Sequence, residues 1–151
     1  MITMIIMGSE SDEPVMAESR KWLEWFGIEA EMIVASAHRN PDKVRELMVT
    51  AKEKGFGAVI AAAGMAAALP GVCAAYTSLP VLGVPLEGGL PGGVDALYSI
   101  VQMPAGLPVG TLAVGKAGAR NAAVLVARIF ALGNETIAAK VEEFKAGGYK
   151  I

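Results

Sequence analysis

Histidine and cysteine are nearly absent from this sequence, and each occurs once, as His38 and Cys73. One cysteine cannot form an intramolecular disulfide, and no CxxC pair or cluster of histidines and cysteines has the spacing of a zinc site. No apolar run approaches the roughly 20 residues of a membrane span, and the longest candidate, 58–76, is broken by Pro70. The opening residues also lack the pattern of a secretory leader. These absences predict a cytoplasmic protein without a metal site or a membrane contact.

The sequence also lacks a strong excess of either charge, since its 13 basic and 15 acidic residues give a net charge of −2. No basic face for nucleic acid is therefore expected. At 151 residues the chain is long enough to bury one sizeable core, so we expect a single domain over 1–151. Its hydrophobic fraction of 54% is high for one small domain, which predicts apolar surface buried between subunits.

Short apolar runs alternate with longer segments of helical period, which is the pattern of βα units in a parallel sheet. Strands are predicted at 2–7, 29–36, 57–63, 80–85 and 109–114. Helices are predicted around 15–26, from Pro41 to about Lys54, after Pro70, and over 94–103, 117–132 and 134–146. The fold class is therefore α/β, as an open, doubly wound α/β/α sandwich of flavodoxin-like or Rossmann-like type with about five parallel strands.

In such a sheet, ligands bind beyond the carboxyl ends of the strands, where loops lead into helices. Strand one leads to Ser9, Ser11 and Asp12, strand two to Ser36, His38 and Arg39, and strand three to 64–71, which includes Gly64, Ala68 and Leu69. We predict that these nine residues meet at one edge of the sheet and form a binding site.

The first two loops have the chemistry of an anion site. A Gly-Ser turn before a helix offers N–H and hydroxyl donors, and the Arg39 guanidinium has a fork that matches a phosphate. Asp12 can accept hydrogen bonds from ribose hydroxyls. An alternative is an ordinary helix cap, because serine and aspartate favour that position without any ligand.

His38 is the one side chain in this set that exchanges protons easily near neutral pH, since the unperturbed pKa of histidine is about 6.5. Its alternative is a solvated loop residue with no chemical role. Metal binding is not expected, because a single histidine without cysteine or carboxylate partners at ligand spacing makes no coordination sphere.

Five segments closely resemble the PurE family of purine biosynthesis. They are MGSESD, SAHRNPDKV, AALPG, LPVLGVP and the stretch 93–132. The resemblance implies the mutase branch of that family, which moves a carboxylate from the exocyclic nitrogen to ring carbon C4 of aminoimidazole ribonucleotide without a cofactor. It further implies that Ser9, Asp12 and Arg39 hold the ribose phosphate portion, that His38 moves protons, and that the chain forms homo-octamers with sites at subunit interfaces.

Two loops depart from the pattern of that family. Residues 61–71 read AAAGMAAALPG, so Ala62 and Met65 replace glycines and Ala68 replaces a histidine thought to line the CO2 pocket. Glu87 and Gly88 stand where Gln and Ser are usual. We expect the Ala62 methyl to crowd the ligand and the loss of a second imidazole to remove a donor.

These departures leave two further readings beside the active mutase. One is a catalytically impaired or engineered PurE-like scaffold, retained for its self-association. The other is the carboxylase branch, which takes free CO2, although Arg39 and Pro41 after the histidine favour the mutase.

Overall fold

The computed structural model describes residues 1–151, in which five strands alternate with α-helices and two consecutive helices end the chain, giving six α-helices in all. The strands are β1 (Ile2–Met7), β2 (Glu29–Val34), β3 (Phe56–Gly64), β4 (Val81–Leu86) and β5 (Gly110–Thr111). The helices are α1 (Glu13–Trp25), α2 (Pro41–Thr50), α3 (Leu69–Tyr76), α4 (Val94–Val101), α5 (Lys116–Ala131) and α6 (Glu135–Ala146). Short 3-10 helices precede α1 (Glu10–Asp12) and α4 (Pro91–Gly93).

All strand pairs are parallel, and the order across the sheet is β2-β1-β3-β4-β5. The predicted doubly wound sheet with flanking helices is therefore confirmed, in its flavodoxin-like order. The chain runs outward from β1 to β2 and then crosses back to β3, so the direction of winding reverses between β1 and β3. A crevice opens at such a reversal, between loops that leave neighbouring strands toward opposite faces.

Several predicted boundaries are wrong. Strand two ends at Val34 and not at 36, because the Ser36 N–H donates to the Asn40 side chain and not to a neighbouring strand. Strand five pairs over only two residues, although the Leu112 N–H still donates to the Gly83 carbonyl at 2.9 Å. Helix α2 ends at Thr50, four residues before the predicted end, and α3 begins one residue before Pro70.

The sheet separates two apolar cores. One lies between the sheet and α1, α5 and α6, and the other between the sheet and α2, α3 and α4. Much of the first core is alanine, from β3 and α5, with fully buried methyl groups at Ala58, Ala62, Ala119, Ala122, Ala123 and Ala127. These small side chains let α5 lie close against β3 and β4.

The single thiol belongs to the second core. Cys73 is fully buried on α3, and burial raises its pKa to about 12, so the thiol stays protonated and is no nucleophile at neutral pH. No helix combines the length and the apolar character that a membrane crossing requires.

Candidate active site

A cavity of about 590 Å³ lies at the carboxyl ends of the strands, at the reversal between β1 and β3. All nine residues predicted for the site line it: Ser9, Ser11, Asp12, Ser36, His38, Arg39, Gly64, Ala68 and Leu69. The structure thus brings together the residues that the sequence placed at one edge. A second depression of about 520 Å³ lies at the amino ends of β1 and β2 and contains none of them.

The first loop is a cap and part of the cavity wall at once. Ser9 begins the 3-10 helix, and its Oγ accepts the Ser11 N–H at 3.3 Å and the Ser11 hydroxyl at 2.9 Å. Asp12 completes the capping box by accepting the Ser9 N–H at 3.1 Å. The alternative interpretation of this motif as a helix cap is therefore confirmed. Because Ser9 Oγ accepts in both contacts, its own hydroxyl hydrogen can still be donated into the cavity.

The carboxyl group of Asp12 is partly buried in the cavity wall. Burial raises the pKa of its carboxyl above the ordinary 3.8, while the Ser9 N–H, the Arg39 charge and the Ser11 side chain act in the opposite direction. A carboxylate with spare lone pairs at the cavity wall suits the acceptance of hydrogen bonds from hydroxyl groups.

The second loop is a single tight turn that presents His38 at its apex. The Asn40 N–H donates to the Ser36 carbonyl at 3.0 Å, and the Ser36 N–H donates to Asn40 Oδ1. The Arg39 N–H donates to Ser36 Oγ at 3.3 Å, and Lys43 Nζ donates to the Val34 carbonyl at 2.9 Å. His38 is exposed on the cavity side of this turn.

Arg39 connects the second loop to the first. Its Nη2 donates to the Gly8 carbonyl at 3.0 Å, and its remaining guanidinium donors are free to meet an anion. A smaller cavity of about 370 Å³ adjoins the main one and is lined by Ser9, Ser36, Arg39 and Asn40 among others. Arg39 therefore lines both cavities.

The third loop explains the departures at residues 62, 65 and 68. The expectation that Ala62 crowds a ligand is wrong, because its side chain is fully buried in the first core and does not line the cavity. Met65 does line the cavity, is 61% exposed and has a positive φ of 54°. Ala68 also lines it, at the residue that precedes α3. Of the three departures in this loop, only Met65 and Ala68 therefore change the surface that a ligand meets.

The third loop packs directly against the loop after β4. A Cβ on Gly64 would lie 3.2 Å from the Leu86 carbonyl oxygen, so a larger residue would force the two backbones apart. Glu87 and Gly88 complete the cavity wall from that side. Asp95 of α4 holds this fourth loop by accepting the Leu90 N–H at 3.1 Å.

The nine predicted residues are not the whole lining, although three of the others, Met65, Ala66 and Ala67, lie in the loop 64–71 that was expected at this edge. Gly8, Ala37, Ala63, Met65, Ala66, Ala67, Glu87 and Gly88 also line the cavity. Most adjoin a predicted residue, and Glu87 and Gly88 follow β4 directly, so the strand-end rule would have found them. No group of three or more His, Cys, Asp or Glu side chains stands close enough to hold a metal ion.

Comparisons with known proteins agree on one family. A family model described as AIR carboxylase matches residues 2–149. The N5-carboxyaminoimidazole ribonucleotide mutase of Vibrio vulnificus is 55% identical over 142 residues, which cover 94% of this chain and 88% of that protein. The mutase of Escherichia coli is 48% identical over 141 residues, covering 93% and 83% of the two chains. The crystal structure of Treponema denticola PurE superposes with a TM-score of 0.84 at 26% identity, covering 97% and 90%.

Proposed function

This chain belongs to the AIR carboxylase family, and we propose that it is an N5-carboxyaminoimidazole ribonucleotide mutase of purine biosynthesis in which His38 transfers the protons. The observation that carries the assignment of residues is the cavity at the β1/β3 reversal. It gathers the only histidine, an arginine, two serines of the first loop and a carboxylate around a space large enough for a ribonucleotide.

Binding is assigned to the first two loops. The Arg39 guanidinium and the hydroxyls of Ser9 and Ser36 surround the smaller cavity, where they suit a phosphate group. Asp12 and Ser11 stand on the main cavity wall, where the carboxylate accepts hydrogen bonds from the ribose hydroxyls. Gly64, Ala68 and Leu69 shape the opposite wall and face the base.

The reaction moves one carboxylate from N5 to C4 and, in net terms, one proton from C4 to N5. The bond between N5 and the carboxyl carbon breaks, its electron pair returns to the aminoimidazole, and CO2 is released. Ring carbon C4 then attacks CO2, which forms the new carbon–carbon bond. The His38 imidazolium donates a proton to N5 as the bond to the carboxyl carbon breaks, and the neutral imidazole then removes the proton from C4 to restore aromaticity. Atoms and charge therefore balance without a cofactor, and His38 returns to its starting state.

The third loop has a second task, which is to keep CO2 in the site. The loop lines the cavity near the base with alanine methyl groups. It leads into α3, whose amino end carries partial positive charge. A small apolar wall excludes water and slows the loss of the neutral intermediate. The helix end favours the carboxylate before and after the transfer.

Loss of activity finds no support in the comparisons, since the relatives reported above are mutases at 48% to 55% identity. The substrate that the protein accepts distinguishes a mutase from a carboxylase. A mutase converts N5-carboxyaminoimidazole ribonucleotide directly, whereas a carboxylase starts from aminoimidazole ribonucleotide and depends on added bicarbonate.

The test is a direct assay of interconversion between the two carboxylated ribonucleotides, for the parent and for His38→Asn. The parent is expected to turn over on the order of 10 per second, which is typical of enzymes. His38→Asn loses turnover while its circular dichroism and melting temperature stay parental. Retention of a tenth or more of the parental rate would remove the proton-transfer role from His38.

We infer, as a separate point, that the chain assembles as a homo-octamer in the cytoplasm with its sites at subunit interfaces. Large apolar side chains are exposed on α4, at Tyr98 (62%) and Val101 (49%), and Met65 and Leu90 are exposed at 61% and 59% beside the cavity. Light scattering measures the assembly directly, with an expected mass eight times the 15.6 kDa of one chain. A monomer at micromolar concentration would contradict this inference.

A further inference from the structure

We propose that Asn40 is a positioning residue that holds His38 in place for proton transfer, an inference that rests on the proposed mutase function. Asn40 closes the turn that contains His38 through both its backbone and its side chain. Its backbone N–H donates to the Ser36 carbonyl at 3.0 Å, and its Oδ1 accepts the Ser36 N–H. His38 lies at the midpoint of the five-residue turn that these two bonds close.

The orientation of the Asn40 side chain is unusual for its position. Asn40 is the residue before α2, where asparagine normally accepts a hydrogen bond from the first turn of the helix. Here the Asn40 carbonyl begins the helical bonding with Val44, but the side chain makes no capping bond and turns back to Ser36. Asn134 shows the ordinary arrangement, because its side chain caps α6 by accepting the Ile137 N–H at 3.0 Å.

Loss of this bond affects His38 more than Arg39. Arg39 has two further anchors, through its N–H to Ser36 Oγ at 3.3 Å and through Nη2 to the Gly8 carbonyl at 3.0 Å. The imidazole of His38 is held by no hydrogen bond of the chain, so its position depends on the shape of the turn. A loosened turn therefore misplaces the proton-transfer group while the phosphate-binding group stays anchored.

Three variants separate positioning from capping. Asn40→Ala removes both the acceptor and any cap. Asn40→Ser supplies a side chain that caps helices well, but this side chain is one atom too short to hold the Ser36 N–H. Asn40→Asp keeps an acceptor of the same reach. Asn134→Ala is the matched control, since it removes a true asparagine cap far from the cavity.

In the mutase assay, Asn40→Ala and Asn40→Ser lose about tenfold to a hundredfold in kcat, with a much smaller change in KM, because small misplacement of a reacting group is costly. Asn40→Ser melts at or above the temperature of Asn40→Ala, yet recovers no kcat. Asn40→Asp retains most of kcat, whereas the charge that it adds to the wall of the phosphate cavity raises KM. Asn134→Ala melts at a lower temperature with parental kcat. A parental kcat in Asn40→Ser, or an equal loss of kcat in Asn134→Ala, would overturn the proposal.

A second measurement does not depend on turnover. With one histidine in the chain, protein labelled with carbon-13 in the imidazole ring gives one histidine signal per ring carbon. Asn40→Ala and Asn40→Ser shift or broaden that signal, whereas Asn134→Ala leaves it close to the parent. An unchanged signal in all Asn40 variants contradicts the positioning role. A parent without mutase turnover, but with this response, contradicts the proposed function alone.

Discussion

The guanidinium of Arg39 donates to the carbonyl oxygen of Gly8 at 3.0 Å, so a side chain of the second loop is fixed to the backbone of the first. The bond crosses from the end of β2 to the end of its neighbour β1. It holds the guanidinium at the cavity before any ligand binds. Binding therefore costs less side-chain conformational entropy. The remaining donors of the fork face the two cavities that Arg39 lines.

Replacement of Arg39 is therefore expected to weaken nucleotide binding. Arg39→Ala binds aminoimidazole ribonucleotide about tenfold to a hundredfold more weakly by calorimetry, because a charge-assisted bond to phosphate is lost. The nucleotide affinity of Arg39→Lys should lie between those of the parent and Arg39→Ala, since an ammonium group cannot bond Gly8 and a phosphate in the same fork geometry. Arg45→Ala is the control, because Arg45 stacks over Tyr76 away from the cavity. Equal affinity of the parent for nucleotide and nucleoside would exclude the phosphate role.

Ala68 is the position where an added side chain should raise the rate. It lines the cavity beside the amino end of α3, so Ala68→His places an imidazole donor toward the transferred carboxylate. A lost donor of this kind typically costs about 2.7 to 4 kcal/mol in the barrier, or roughly a hundredfold or more in rate. We expect part of that as a gain in kcat with little change in nucleotide affinity. Ala75→His, exposed on the same helix, should change neither; an equal gain there, or none at Ala68, refutes the prediction.

Met65 is strained by its backbone, since its φ is 54° and it carries a side chain. A left-handed conformation costs a residue other than glycine roughly 1–2 kcal/mol, and a β-branched residue more. Stability in urea should therefore follow the order Gly, Met, Ile at this position, with Met65→Gly equal to or above the parent. Leu132→Ile is the control, because Leu132 is 89% exposed and has an ordinary φ of −63°. A stable Met65→Ile would show that this strain is absent.

Asp12 should lower stability at neutral pH in exchange for function. Its pKa is raised in the folded chain, mainly by burial, so folding favours the protonated carboxyl and is penalised once pH rises above that pKa. Asp12→Asn removes the penalty and can still accept the Ser9 N–H. It should be more stable than the parent at pH 7, and the difference should shrink toward pH 3, below the ordinary value of 3.8.

Urea midpoints of both proteins at the two pH values measure this difference, and calorimetry should show weaker binding of the nucleotide to Asp12→Asn. Asp42→Asn, on the exposed first turn of α2, serves as the control and should give no gain at pH 7. If Asp12→Asn were less stable than the parent by the same amount at pH 7 and pH 3, the burial of the charge would not be the cause.

The alternation of apolar runs and helical periods was enough to predict the sheet, its class and the edge that carries the site, because hydrophobic periodicity follows directly from secondary structure. It could not predict where strand two ends, since a side chain four residues further on takes the Ser36 N–H. Strand five pairs with β4 over only two residues, a limit that the apolar run 109–114 does not encode. The face on which Ala62 lies depends on strand register, so its burial away from the cavity followed only from the structure.

The alanine-rich core between β3 and α5 reverses the usual order of mutational tolerance. In most cores, trimming a large side chain is the severe change, because it leaves a void. Here positions such as Ala58, Ala122 and Ala127 are fully buried with only a methyl group, so added volume has nowhere to go. In a saturation screen, these alanines should accept fewer replacements than the buried leucines. Under selection for folding alone, these small core residues should therefore be substituted more slowly in evolution than the large ones.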